Sequence, residues 1–166
     1  MTARADSTIC PVVARTIGSD GTAFANAHRS RPLTAELVSG AALVLTASKA
    51  ERSVIARLDP SARSRTFTLR EAAALAAVQG DAPLDRAERS PLEMFAATLN
   101  ARRGLGTAMV RSEPTGFRRW FPAREASDPL DVVDGHNLGT RRHEATMSEV
   151  STSVERIAEG LRTISV

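Results

Sequence analysis

The sequence predicts an α/β fold built around two parallel strands that are joined by a helix. The candidate strands are two short apolar runs, Ala42 to Leu45 and Thr66 to Leu69. The segment between them, about 20 residues long, is long enough for a helical crossover and too long for a hairpin, which favours a parallel pair. That segment begins with Ser48 and Glu51, whose hydroxyl and carboxylate can satisfy amides of a first helical turn.

The N-terminal part of the chain contains one further apolar stretch. Residues 1–8 are polar and without periodicity, so we expect a disordered lead-in before one domain that spans residues 9–166. The stretch from Ile9 to Ile17 contains Pro11, which has no amide hydrogen to donate. A strand here would therefore begin at about Val12 or lie at an edge of the sheet.

Start and stop signals mark the remaining helices. An N-cap serine or threonine opens each of the shorter ones, and the last helix has apolar residues at alternating spacings of three and four. The predicted helices run from Thr34 to Val38, over about 49–58, from Thr68 to about Val78, from Ser90 to Arg102, and over about 140–165. Residues 104–135 are predicted to form a long loop, and loops of that length tend to be functional or mobile.

The composition is that of an ordinary globular protein. Of 166 residues 42% are hydrophobic. No apolar run approaches the roughly 18 residues that span a bilayer, and Met1 to Thr8 is too polar for a signal peptide. We therefore expect a cytoplasmic protein without a membrane partner. Cys10 is the only cysteine, so an internal disulfide is excluded.

The charged residues do not indicate a nucleic-acid partner or a metal. The net charge is +3, and Lys49 is the only lysine among 22 basic residues, a skew typical of a GC-rich genome. Scattered charges of this kind usually lie in solvent. His136 and His143 lack a paired cysteine or a third ligand and are too few for a metal site. We expect no nucleic-acid partner, no metal and no other cofactor.

Two stretches of the sequence resemble a known family. They are R-S-R-P-L-T-A-E-L-V-S-G-A-A-L-V-L-T-A-S-K-A-E-R, from Arg29 to Arg52, and R-T-F-T-L-R-E, from Arg65 to Glu71. Both closely resemble the middle of low-molecular-weight protein-tyrosine phosphatases, especially bacterial ones. The resemblance covers roughly residues 29–75, with a looser similarity near residues 128–139 and in the last helix.

This resemblance implies a fold, an activity and a set of site residues. The fold is a three-layer αβα arrangement with a short four-stranded parallel sheet. The activity is hydrolysis of a phosphotyrosine protein or a small phosphomonoester through a phosphocysteine, without a cofactor. The family's loop C-x5-R-(S/T) supplies a thiolate nucleophile and an arginine that binds phosphate oxygens, and a separate aspartate protonates the leaving group. These roles fall on Cys10, Arg15 and Asp134.

The phosphate-binding loop departs from the family pattern. Cys10 and Arg15 are separated by four residues instead of five, no glycine or asparagine lies between them, and Pro11 removes one amide from the cradle. A second alignment places Cys10 on the later cysteine of the family string C-x-G-N-x-C-R-S, and the nucleophile position then falls on Ala5. On either alignment the C-x5-R motif is incomplete.

The first strand of the family has no counterpart in Met1 to Thr8. Its loss would leave backbone groups of neighbouring strands without partners, at about 1 to 3 kcal/mol for each buried group. Two explanations stay open. Either Val12 to Ile17 pairs in the vacated place, or the protein begins upstream of Met1.

The acid loop keeps more of the family pattern. The segment D-V-V-D-G-H, from Asp131 to His136, is similar to the family's D-x-x-D-P and places the general acid at Asp134, with Gly135 where proline is usual. Asp128-Pro129 is a competing pair. A solvated turn is the alternative interpretation of all these aspartates.

Two functions remain after these comparisons of motifs. One is a phosphatase that works through Cys10, Arg15 and Asp134; the other is a non-catalytic relative that keeps the scaffold for interaction or regulation. Arsenate reduction is a third class, but that branch of the family uses further cysteines, which this chain lacks. Because activity must be argued from the site, the incomplete motif favours family membership with impaired or absent catalysis.

Overall fold

The computed structural model describes residues 5–18, 21–78, 90–103, 128–135 and 139–164. These residues form a mixed α/β fold that is mostly helical and contains a short parallel sheet of two strands. The elements are α1 (Pro11–Ile17), α2 (Thr22–Ala27), α3 (Ala35–Ser39), β1 (Val44–Thr46), α4 (Lys49–Leu58), a 3₁₀ helix (Pro60–Arg65), β2 (Thr66–Thr68), α5 (Leu69–Ala76), α6 (Pro91–Ala101) and α7 (Thr140–Ile164).

Strands β1 and β2 are parallel, as the length of their connection predicts. The register pairs Val44 with Thr66, Leu45 with Phe67 and Thr46 with Thr68. The crossover consists of α4 and the 3₁₀ helix, which has Asp59 as its N-cap. β1 ends at Thr46, one residue beyond the predicted run, and β2 ends at Thr68, one residue before the end of its run. Ser48 and Thr68 are the N-caps of the helices that follow.

Capping boxes begin α4, α5 and α6, the helices that the sequence predicts to begin near Ser48, Thr68 and Ser90. In each box the N-cap hydroxyl of Ser48, Thr68 or Ser90 accepts a hydrogen bond from the amide three residues on, and the glutamate at that position bonds back to the N-cap amide. The predicted helices at α3 and α7 are confirmed as well. These local signals therefore fix most of the helical framework.

The prediction of a strand within Val12 to Ile17 is wrong, because this segment belongs to α1. Cys10 is the N-cap of α1, and Pro11 takes the first helical position. There its missing amide hydrogen costs nothing, and its fixed φ suits the helix. The segment therefore does not replace the first strand of the phosphatase pattern. Within the described ranges the sheet has two strands, compared with the four that the resemblance implies.

The main hydrophobic core joins β2 to helices α5, α6 and α7. Its largest buried side chains are Phe67, Leu75, Phe95, Leu99 and Ile157. Helix α7 approaches its neighbours closely at Gly160, where a Cβ would lie 3.0 Å from the Cβ of Ala76. A smaller cluster joins α3, α4 and the 3₁₀ helix through Val38, Ile55 and Ala62. The two clusters hold the crossover and β2 in place.

The described part of the N-terminal segment is attached to the rest of the fold at Ser30. Asp6 N donates to Ser30 O at 2.8 Å, and Ser30 N donates to Ser7 O at 2.9 Å. Ser7 N also donates to Ser30 Oγ at 2.9 Å. Asp6 and Ser7 are thus attached to the fold shortly before Cys10, the N-cap of α1.

None of the helices in the described part of the chain is long and apolar enough to cross a membrane. Most of the predicted long loop, residues 104–127, lies outside the described residues, as does His136. The site is therefore built from the described residues alone.

Candidate active site

The loop of residues 128–135 is docked at the carboxyl end of the parallel strands. Val132 N donates to Ala47 O at 2.8 Å, directly after β1. Asp131 Oδ1 accepts from Lys49 N at 2.8 Å, so this carboxylate helps to satisfy the first turn of α4. Ligands of α/β proteins bind at the carboxyl ends of the strands. The loop that the sequence predicts as the acid loop therefore lies at this end of the sheet.

Two basic side chains hold the same loop in place. Lys49 Nζ lies 2.6 Å from Asp128 Oδ2. Arg70, near the start of α5, donates from Nη1 to Asp131 O at 3.4 Å, and its Nε pairs with Glu149 Oε1 of α7 at 2.9 Å. The helix that follows each strand thus contributes one basic side chain that contacts the loop.

Cys10 lies beside a buried histidine. Its Sγ is 3.8 Å from His143 Nε2, a contact between residues 133 positions apart in the chain. Cys10 is half-buried, whereas His143 is only 7% exposed. Sγ also accepts from Val13 N at 3.5 Å, which orients the thiol at the start of α1. A nucleophilic side chain and a possible proton acceptor are thus in contact.

Gly135 connects the acid loop to this pair. Its backbone packs directly on His143: a Cβ at position 135 would lie 2.7 Å from His143 Cα and 3.1 Å from the ring atom Cδ2. His143 N donates to Gly139 O at 3.0 Å, which fixes the histidine in the first turn of α7. The imidazole is therefore held between the loop and Cys10. Asp134, the predicted general acid, directly precedes Gly135 and is exposed.

Arg15, the predicted phosphate-binding arginine, points to a different partner. Its Nη2 lies 3.9 Å from Glu144 Oε1, and the two side chains are 62% and 57% exposed. Because Cys10 and Arg15 belong to one helix with its N-cap, five positions separate them by about 7.5 Å along the axis and about 140° around it. Among the described residues, Cys10 and Arg15 do not bond to each other. The segment between them forms a helix and not a loop of convergent amides.

The structure therefore brings Cys10 close to the acid loop but leaves Arg15 on the exposed side of α1. The sequence did not predict His143 as a residue of this site; its pattern bore only on the question of a metal, which it did not favour. Its sole signal was its place in the first turn of a predicted helix, close in sequence to the acid loop. Among the described residues no cluster of three or more metal-ligating side chains occurs.

Comparisons with models of protein families, with curated proteins and with solved structures find no match to this chain. Function must therefore be argued from the site itself. That site consists of a half-buried thiol, a buried imidazole and a docked acidic loop at the carboxyl end of a parallel strand pair.

Proposed function

We propose that this chain is a low-molecular-weight protein-tyrosine phosphatase-like protein whose phosphomonoester hydrolysis is impaired or absent. Two observations support the family assignment. The segment that resembles the family folds as strand, helix and parallel strand, and the segment that resembles its acid loop docks at the carboxyl ends of those strands. On this proposal the complete fold is the three-layer αβα arrangement of that family, with Cys10 near the nucleophile position.

The observation that carries the loss of activity is the place of Arg15. Phosphoryl transfer is catalysed mainly by positioning and by cationic groups and amides around the transferred oxygens. Here the guanidinium pairs with Glu144 on the exposed side of α1. Pro11 occupies the position after Cys10 and offers no amide hydrogen. A phosphate dianion beside Cys10 would lack the clamp that the mechanism needs.

A non-catalytic role in interaction or regulation is the second candidate. The positions of the segments that resemble the family favour this non-catalytic role. The matching segments build the framework through the capping boxes of α4 and α5. The poorest match is α1, where the chemistry would be expected. Selection for a scaffold would preserve the framework and tolerate this loss.

The test is hydrolysis of p-nitrophenyl phosphate at mildly acid pH by the full chain, Cys10→Ser and Arg15→Gln. Because Arg15 pairs with Glu144 and Pro11 offers no amide hydrogen, we expect all three proteins to release nitrophenol at about the rate of buffer alone. An active low-molecular-weight phosphatase serves as the assay control, and circular dichroism establishes that the variants fold. Turnover by the full chain that both substitutions abolish would refute the loss of activity and establish an active phosphatase.

A further inference from the structure

We propose that Cys10 and His143 form a nucleophile and general-base pair that reacts with acyl groups, that is, with activated esters or thioesters. The pair is defined by the 3.8 Å contact between Sγ and Nε2. Sulfur makes longer hydrogen bonds than oxygen, and such contacts are often loose before substrate binds. A positioned base beside a cysteine is the arrangement by which thiols are activated for covalent catalysis.

The pair is both held and reachable. His143 is fixed on one side by the backbone of Gly135 and on another by the bond of its amide to Gly139 O. Cys10 is oriented by the amide of Val13 and is partly exposed. The base is thus shielded and oriented, while the cysteine is the more exposed residue of the pair. This is the division of roles that a nucleophile and its base require.

The geometry favours an acyl substrate over a phosphoryl one. A phosphomonoester brings two negative charges, and Arg15, the cation that would receive them, pairs with Glu144. An ester or thioester is uncharged in the ground state, and the oxyanion that forms on attack carries one negative charge, so it requires less cationic stabilisation than a phosphate dianion. The thiol and the imidazole that are in contact here supply the nucleophile and the base for this attack.

The reaction is balanced without an oxidant, a reductant or a metal. The Cys10 thiol transfers its proton to His143 Nε2 while Sγ forms a bond to the acyl carbon. The C–O or C–S bond of the substrate breaks, and the leaving group takes the proton from the imidazolium. Water then attacks the acyl-cysteine, with Nε2 accepting a proton from the water and returning one to Sγ. The products are a carboxylic acid and an alcohol or thiol.

The test uses p-nitrophenyl acetate with the full chain. Because Cys10 is the only cysteine, an acetyl adduct on sulfur is identified by intact mass and by its absence in Cys10→Ala. We expect Cys10 in the folded protein to be acetylated at least about tenfold faster than N-acetylcysteine at the same pH. We expect His143→Gln to slow acetylation by about 10²-fold, the lower end of general-base contributions. His28→Gln, at an exposed histidine, is the matched control and should leave the rate unchanged.

Two results would overturn the proposal. One is acetylation of folded His143→Gln at the rate of the unsubstituted chain. The other result needs no variant. It is an acetylation rate of Cys10 in the folded protein that does not exceed the rate in the same protein unfolded in guanidinium chloride. The acyl reaction and the phosphatase reaction are assayed with different substrates, p-nitrophenyl acetate and p-nitrophenyl phosphate, although both release nitrophenol. Either proposal can therefore fail without the other.

Discussion

Gly135 packs so closely on His143 that a Cβ at position 135 would lie 2.7 Å from His143 Cα. Carbon atoms that are not bonded do not approach to this distance without a shift of the backbone. The phosphatase pattern has proline at this position, and proline carries a Cβ. The presence of glycine is therefore matched to the histidine beside it. The glycine at position 135 and the contact between Cys10 and His143 therefore belong to one local arrangement.

Gly135→Ala should separate the acid loop from α7. The added methyl group must displace backbone atoms and not a flexible side chain, so we expect a loss of about 1 to 3 kcal/mol in unfolding free energy, typical of overpacking. Chemical denaturation measures this loss. Gly40→Ala is the matched control, because its Cβ would meet only Glu36 O at an ordinary 3.4 Å. Equal stabilities of the two variants would contradict the close packing of Gly135.

Glu71 should contribute strongly to stability. It is 3% exposed, and its carboxylate receives Arg52 Nη1 at 2.6 Å and Arg103 Nε at 3.2 Å while it also caps Thr68 N. Glu71→Gln leaves two guanidinium groups without their anion. We expect a loss of about 3 kcal/mol in unfolding free energy, the lower end for breaking a buried ion pair, because both arginines are partly exposed.

The matched control for Glu71 is the exposed glutamate in the capping box of α4. Glu51 accepts from Ala47 N at 2.8 Å and from Ser48 N at 3.2 Å. Glu51→Gln keeps an oxygen that can accept both bonds and removes only the charge, so it should cost about 0.5 kcal/mol in the same denaturation experiment, the value of a negative charge at a helix N-terminus. Similar losses at the two positions would show that the arginines around Glu71 add nothing to the capping box.

How far the sequence predicts the structure depends on how local the determining contacts are. The capping boxes at Ser48, Thr68 and Ser90 span three residues each, and the helices that they open were predicted correctly. Helix α1 was missed because the β-branched pair Val12 and Val13 favours a strand, while Pro11 at the first helical position favours a helix. In the structure Cys10 caps this helix through the bond from Val13 N to its Sγ, and α1 lies against α7.

The candidate site was predictable only in part, for the same reason. Cys10 and the acid loop were recognisable as chemical groups from the sequence. The contact between Cys10 and His143 joins residues 133 positions apart, and no local pattern indicates it. The partners of Glu71 lie 19 and 32 positions away. Only the folded arrangement shows which glutamate is buried between arginines and which cysteine has a histidine beside it.

Asp131 should hold the acid loop against α4. Its Oδ1 accepts from Lys49 N at 2.8 Å, next to the bond from Val132 N to Ala47 O. Asp131→Ala should cost about 1 kcal/mol, as the loss of a helix-capping group does. It should also raise the hydrogen-exchange rate of the Val132 amide, because that bond depends on the docked loop.

The control is the aspartate three positions further along the same loop. Because Asp131, and not Asp134, accepts the bond from Lys49 N that docks the loop, Asp134→Ala should leave the exchange rate of Val132 unchanged. Faster exchange in both variants, or in neither, would contradict the docking role of Asp131. The comparison also separates a positioning aspartate from the predicted general acid without any assay of activity.

Asp59 should make stability fall in acid. Hydrogen bonds from Ser61 hold the pKa of this carboxyl below its usual range, the side-chain bond contributing most, and the nearby Arg65 lowers the pKa further. A carboxyl with a lowered folded pKa gives its full stabilisation above the unfolded pKa, about 3.9, and loses it as pH falls through the folded pKa. Asp59→Asn should therefore be less stable than the unsubstituted chain at pH 6, and the difference should shrink below pH 4.

The measurement for Asp59 is the unfolding free energy of both proteins between pH 6 and pH 3. Asp59 Oδ1 accepts from Ser61 N at 2.9 Å and from Ser61 Oγ at 2.6 Å, and Oδ2 lies 3.1 Å from Arg65 Nη2. Ser61→Ala removes the largest cause of the lowered pKa and keeps the ion pair, so its acid-dependent loss should be smaller than that of the unsubstituted chain. The difference in unfolding free energy between Asp59→Asn and the unsubstituted chain could instead stay constant from pH 6 to pH 3. That result would refute the link between the protonation of Asp59 and stability, because the protonated side chain would then stabilise the start of the 3₁₀ helix as well as the carboxylate does.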